Sequence, residues 1–266
     1  MTTDGPGVLL KLGGELLESV TGRQNIARAM RRLQGSGRLV VVHGGGREVD
    51  AEMAAKGIPK QAVDGLRLTD AHTLEVVVGV LAGRVNTRLV AAARVEGIRA
   101  VGLTAVDAGV SSVRRADPYR AADGSEVDLG FVGQPTGTEP PQLVTQLCEA
   151  GFVPVIASIG ADADGQLLNV NAVTLAGHLA ARLTVARLLI AGGTPGVLDE
   201  HGATIACVTE PLLEALIADG RASAGMVAKL IACREARRGG VAKVRIVNGK
   251  GTTDLDESPG TTIGGH

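Results

Sequence analysis

The stretch Leu39-Val40-Val41-Val42-His43-Gly44-Gly45-Gly46 is an apolar, β-branched run that ends in three consecutive glycines. So short and so uniformly apolar a run predicts a strand buried on both faces, as in a parallel sheet. Three glycines remove every Cβ, so successive backbone N–H groups can turn toward one anion and the chain can approach a ligand closely. A helix from Arg47 through Ala51 to Lys56 would add the partial positive charge of its N-terminus at the same place. The same glycines would equally serve a tight strand-to-helix turn with no ligand, and the local residues do not separate the two.

The arrangement recurs on both sides of this stretch. Val8 to Lys11 runs into Gly13-Gly14, and Arg187 to Ala191 runs into Gly192-Gly193-Thr194-Pro195-Gly196. Between them lie an amphipathic helix over Gln24 to Gln34, with Ile26, Met30 and Leu33 on one face, and a long helix from a Thr69 or Asp70 cap through Val90. A third strand follows at Ala100 to Leu103, then a helix at Leu143 to Ala150, a strand at Val153 to Ser158, a helix at Thr174 to Leu183 and a strand at Lys243 to Val247. Such alternation predicts an α/β fold with a mainly parallel sheet and right-handed crossovers. The glycine-tipped strands then end on one edge, where open α/β sheets bind ligands. Together they predict an anion-friendly crevice for a phosphorylated ligand. Turn residues break the pattern from Ser111 to Thr138, which reads as a hairpin over the sheet edge, and the tail from Asn248 to His266 reads as polar and turn-like.

Composition narrows the function. The chain has 266 residues, 45% hydrophobic, with a formal net charge of -1. A near-neutral balance argues against a nucleic-acid partner, and so does the scarcity of aromatic rings, only Tyr119, Phe131 and Phe152. Any anion site must be local. Cys148, Cys207 and Cys233 lack metal-like spacing and read as buried free thiols in a reducing compartment. Met1 to Gly7 carry no basic leader, and no apolar run nears the roughly 18 residues of a membrane span. These features predict a cytoplasmic protein without a membrane partner.

The chemistry-bearing residues are few. No Gly-Lys-Ser/Thr follows any glycine loop, which excludes a Walker loop, and no G-x-G-x-x-G sits at the first strand. Lys11, Arg67 and Lys229 are the cations beside the glycine-tipped segments. Fixed cations stabilise the oxygens of a transferring phosphoryl group, although each could also be a solvated surface charge. Asn169 and Asn171 read as helix caps or as ligand donors, and His43 as catalytic or structural. Neither a Ser-His-Asp order nor a metal-ligand cluster stands out.

The ordered set Lys11-Leu12-Gly13-Gly14, His43-Gly44-Gly45-Gly46, Gly65-Leu66-Arg67-Leu68-Thr69, Asp128-Leu129-Gly130-Phe131-Val132-Gly133, Asn169-Val170-Asn171-Ala172 and Gly225-Met226-Val227-Ala228-Lys229 resembles the acetylglutamate kinases of the amino-acid kinase family. The likeness runs from about Val8 to Ile263. It implies a single domain with a three-layer α/β/α sandwich, the carbamate kinase-like fold, around a mainly parallel sheet of about eight strands. Residues to about 165 would bind the acyl amino acid and form a homodimer, and residues from about 166 to 266 would bind ATP with Mg2+. The implied reaction moves the γ-phosphoryl group of ATP in line to the side-chain carboxylate of N-acetyl-L-glutamate, a step of arginine biosynthesis. By the same resemblance Lys11 and Lys229 stabilise the transition state. Gly13, Gly14, Gly44, Gly45 and Gly46 cradle the phosphoryl group and substrate, Arg67 and Asn169 hold the acyl amino acid, and Gly192, Gly193, Gly225 and Met226 contact the nucleotide.

Two positions depart from the family pattern. Val173 stands where an aspartate orients the two lysines, and Gly192-Gly193 stand where the family has Thr or Ser followed by Asp. Asp107, Asp162 and Asp164 are the nearby carboxylates that could compensate. The chain is therefore expected to be either a working kinase with an altered support shell or an impaired relative that binds nucleotide or acyl amino acid. A succinylated acceptor is a third possibility. The short run before the first strand predicts a dimer without arginine feedback.

Overall fold

The computed structural model describes residues 7–121, 123–218 and 224–264. The leader reading on Met1 to Pro6 and the last two tail residues, Gly265 and His266, fall outside these.

The main sheet has eight strands in the order 207–208, 260–263, 243–248, 187–192, 8–12, 39–43, 153–157, 100–104. The six from 243–248 to 100–104 are parallel, while Gly260–Ile263 runs antiparallel to Lys243–Asn248. The tail therefore contains a strand that its polar composition did not suggest. The backbone of Thr261 and Thr262 pairs with Ile246 and Arg245 and extends the sheet. Thr261, fully buried, also accepts from Val197 N at 2.8 Å and donates to Ile205 O at 2.7 Å.

Side chains alternate across the sheet as the pleat requires. Leu9, Val40, Val42, Leu188 and Ile190 enter one apolar cluster with residues of the helices Gln142–Glu149, Ala172–Arg182 and Ala224–Arg238. Leu10, Val41, Leu189 and Ala191 enter the other with residues of the helices Val20–Gly35 and Gly46–Ala55 and of the long helix 71–95. Helices on both faces explain why the central strands are apolar throughout. This is the expected three-layer α/β/α sandwich.

The long helix departs most from its expected form. It spans Ala71–Val95, 25 residues that include an 18-residue stretch of mean hydropathy 1.4, enough in length and composition to cross a membrane, contrary to the sequence expectation. Here Val76, Val80, Leu81, Val85 and Leu89 are buried in the second cluster. Asp70 caps it by accepting from Thr73 N at 2.7 Å, and its middle, Gly79–Val85, is wound as a π-helix. The buried Asn86 donates to Val155 O at 2.8 Å and lies 3.0 Å from His43 Nε2, which fixes the helix against two strands.

The Ser111–Thr138 excursion is more than a hairpin. Tyr119–Arg120 and Glu126–Val127 do pair as one, but the flanking Val113–Arg115 and Val132–Pro135 join a second, four-stranded sheet with 159–161 and 167–170. That sheet carries Asn169 to the crevice. Among the cysteines, Cys148 and Cys233 are buried, and burial pushes their thiols up to about 11 and about 12. Cys207 is exposed on the short edge strand, which corrects its expected burial.

Candidate active site

The glycine exits do share one edge. Past the strand ends, Gly13 N donates to Ala191 O at 2.8 Å, Gly44 N to Leu12 O at 3.4 Å and Gly249 N to Gly192 O at 2.8 Å, so neighbouring loops leave the sheet in step. The first two loops then nearly touch. A Cβ on Gly14 would stand 2.6 Å from Gly45 Cα, and one on Gly45 would stand 2.8 Å from Leu81 Cδ2 and 3.1 Å from Val85 Cγ2. Glycine is required at both positions by close packing, of loop on loop and of the π-helical turn on the loop. Gly46 faces open space and begins the helix Gly46–Ala55, whose N-cap, Gly45, offers no side-chain acceptor. Uncapped N–H groups at a helix start are an anion site in the making.

These loops wall a cavity of about 290 Å³ bordered also by Lys11, Glu15, Arg67, Ser158, Asn169 and Ala172. Lys11, at the end of the first strand, is only 8% exposed. Burial lowers its pKa to about 8, Glu15 acting against that shift and Lys229 adding to it. Arg67 is held in place: it bonds Asp50, donates to Gly46 O at 3.2 Å and lies 3.0 Å from Met53 Sδ. Asp50 in turn accepts from Lys60 at 2.8 Å. Asn169 Nδ2 donates to Thr69 Oγ1 at 3.1 Å, which leaves its amide oxygen toward other partners.

Other candidates resolve as structural. His43 is fully buried, and burial lowers its pKa to about 4, so the ring is neutral; Nδ1 donates to Gly44 O at 3.1 Å and Nε2 accepts from Asn86. Asn171 is the N-cap of the helix Ala172–Arg182, accepting from Val173 N at 2.8 Å, and it also borders the cavity. Val173 itself packs in the first apolar cluster. Asp162 closes a turn by accepting from Gln166 N at 2.9 Å, and Asp107 accepts from Thr104 N at 2.6 Å. None of Asp107, Asp162 and Asp164 borders the cavity.

Beyond the cavity wall, Gly192 and Gly193 end the fifth parallel strand in chain order, and Lys229 lies in the helix Ala224–Arg238, donating to Thr194 Oγ1 at 3.1 Å. Burial lowers the pKa of Lys229, with Glu15 opposing. Gly225 is exposed at the helix start, while Met226 packs against the apolar core, so these two neighbours face different surroundings. Sequence reasoning missed Glu15 and Lys250. Glu15, in the single turn Gly14–Leu16, is the only carboxylate among the described residues lining the cavity, and it accepts from Gly193 N at 2.7 Å. Burial would raise its pKa, but its own and Gly193's N–H groups and the charges of Lys11 and Lys229 together hold it below the usual carboxylate range. Lys250 reaches the same corner, its Nζ 3.3 Å from where a Gly193 Cβ would be. Among the described residues, no group of three or more His, Cys, Asp or Glu side chains could hold a metal ion.

A chain named as acetylglutamate kinase from Methanopyrus kandleri is 40% identical over 258 residues, covering 96% of this chain and 99% of its own. In solved structures, N-acetylglutamate synthase from Neisseria gonorrhoeae, complexed with coenzyme A and N-acetyl-glutamate, superposes at TM-score 0.81 and 24% identity, over 99% of this chain and 60% of that one. Giardia carbamate kinase superposes at TM-score 0.66 and 16% identity, over 97% of this chain and 98% of its own, and shares the fold. The sequence signature of the amino acid kinase family matches residues 7–248, and the chain belongs to that family.

Proposed function

We propose that this protein is an acetylglutamate kinase, transferring the γ-phosphoryl group of ATP to the side-chain carboxylate of N-acetyl-L-glutamate in arginine biosynthesis. The observation that carries the reading is the buried Lys11 at the floor of a glycine-walled cavity, in a chain 40% identical to an acetylglutamate kinase along nearly its full length.

Phosphoryl transfer asks the protein for positioning and for charge at the equatorial oxygens. Lys11 would meet the transferring group from the cavity side and Lys229 from the nucleotide side. Backbone N–H groups of Gly14, Gly45 and Gly46, with the helix start at Gly46, would hold the transferring oxygens, since donors fixed before the reaction cost no reorganisation during it; Gly44, whose N–H bonds Leu12 O, would line the substrate. Arg67 has five donors; both on Nη2 are used by Asp50 and Gly46 O and one on Nη1 by Met53 Sδ, leaving one on Nη1 and one on Nε, either of which would serve a substrate carboxylate. Asn169 would take the acylated amino end.

Gly192, Gly193 and Gly225 would face the nucleotide, with Met226 beneath. The N-terminal part, to about residue 165, would then serve the acyl amino acid and pair two copies in a cytoplasmic homodimer, and the remainder would bind ATP. Among the described residues Glu15 is the one carboxylate lining the cavity, so the protein would offer a magnesium ion that side chain and ATP would have to supply the rest of its oxygen ligands. When bound it would neutralise charge along the phosphate chain.

The test is ATP turnover with N-acetyl-L-glutamate, N-succinyl-L-glutamate and L-glutamate in parallel. Turnover is expected with the acetylated acceptor foremost. Binding of nucleotide without turnover of any of the three would overturn the kinase reading and leave a binding protein.

A further inference from the structure

Val173 cannot organise the lysines: its side chain is apolar and lies in the core, and its backbone N–H is committed to the Asn171 cap. The nearby aspartates are committed to turns. We propose that Glu15, in the turn after the first strand, is the residue that positions Lys11 and Lys229. The proposal rests on the kinase reading above.

The geometry carries it. Glu15 Oε1 accepts from Gly193 N at 2.7 Å, which brings the carboxylate across to the end of strand 187–192. The space it occupies is vacated by glycine on both sides. A Cβ on Gly13 would lie 2.5 Å from Glu15 Oε2, one on Gly192 3.2 Å from Glu15 Oε1, and one on Gly193 3.4 Å from Glu15 Cγ. That same Gly192 Cβ would lie 3.7 Å from Lys229 Nζ, so a carboxylate oxygen and an ammonium flank one vacant side-chain position. The strand end carries no side chains, and the carboxylate that fills the room is that of Glu15.

Electrostatics agree in direction. Lys11 and Lys229 are both penalised by burial, Lys229 also disfavours the charge on Lys11, and Glu15 is the charge that favours both. The other groups here do not replace it: Lys250 is a further cation, and Cys233 beside Lys229 stays a neutral thiol. An anion near two cations favours the charged form of each, and leaves the site net positive for a phosphoryl group.

The substitution Glu15→Gln tests this, because the amide keeps the size and can still accept from Gly193 N while losing the charge. The expected result is a kcat lower by about 100-fold, as for a misplaced catalytic group, with KM values little changed. The alkaline limb of kcat/KM, set in the free enzyme by Lys11, should move to lower pH. The double variants E15Q/V173D and E15Q/G193D should each regain about tenfold or more in kcat; the second guards against misfolding, since residue 193 is not in the core. A wild-type kcat and pH profile in E15Q would overturn the proposal. So would a loss with an unmoved alkaline limb and a raised magnesium requirement, which would make Glu15 a metal ligand. If the wild type fails to phosphorylate N-acetylglutamate, the functional reading falls instead, and NMR titration of the Lys11 ammonium in wild type and E15Q still decides the role of Glu15.

Discussion

The two walls of the crevice are built on different principles. On the cavity side, Gly14 abuts Gly45, Gly45 abuts Leu81 and Val85, and Arg67 is pinned by Asp50, so position is set by contact. Across from it, Gly192 and Gly193 bring no side chains, and Lys229 donates to Thr194 and lies in the field of Glu15. One wall is specified by shape and the other by charge. Packing tolerates little change in volume, whereas a charge can be moved to a new residue if its field still reaches the same atoms. A charge that acts through its field can therefore come from Glu15, 178 positions before Gly193, whereas the glycine contacts cannot be moved in that way.

The largest expected effect removes charge from both walls. Lys11→Ala and Lys229→Ala should each lower kcat by about 1000-fold, in the range for loss of one preorganised transition-state donor, with the fold unchanged by circular dichroism. Equal losses would indicate symmetrical work. A loss confined to one would show that a single wall carries the chemistry.

Next is a pH contrast. His43, under the shape-built wall, is neutral in the fold at a pKa of about 4 against 6.5 when free. Between those values the unfolded chain binds more protons, so this contribution is complete above about pH 6.5 and disappears as pH falls toward 4, a loss of about 3 kcal/mol. Urea midpoints at several pH values should show it, and His43→Gln should flatten that acid dependence. On the charge-built side the sensitivity is alkaline: kcat/KM should fall as pH rises through about 8, where free Lys11 loses its proton.

Smaller effects separate parts of the cradle. Gly45→Ala should cost about 1–3 kcal/mol through overpacking against Leu81 and Val85, while Gly46→Ala, facing open space, should leave the urea midpoint within about 0.5 kcal/mol and act on substrate KM. Asp50→Asn should release Arg67 and raise KM for the acyl amino acid about tenfold with little change in kcat. A drop in kcat without a KM change would place Arg67 in the transition state alone.

Much of this was legible along the chain because it is local. Apolar runs ending in glycine marked the strands, their exits and the ligand edge, and the alternation of elements fixed a parallel sheet. What escaped depends on partners far away in sequence. Gly260–Ile263 is a strand because Lys243–Asn248 offers it an edge, not because of its own residues. Val132–Pro135 joins a second sheet through parallel pairing with Leu167–Val170. Glu15 looked like any polar residue after a glycine pair, and its meaning lies in a hydrogen bond to Gly193, 178 positions later. The long helix hid its span because charged residues on its solvent face, Arg84, Arg88 and Arg94, break the apolar run.

The placing of strand 8–12 between 39–43 and 187–192 also sets an order of events on the ribosome. Its first neighbour is made almost at once, but at typical synthesis rates the second emerges about 10 to 40 s later. Meanwhile one side of the chain carrying Lys11 is an open edge, able to pair with the wrong strand. Glu15 has no Gly193 to hold it until that neighbour arrives. The reactive centre is therefore assembled late, when the sheet closes over its oldest strand, and a nascent chain cut short before residue 187 keeps its glycine loops without a working pair of lysines.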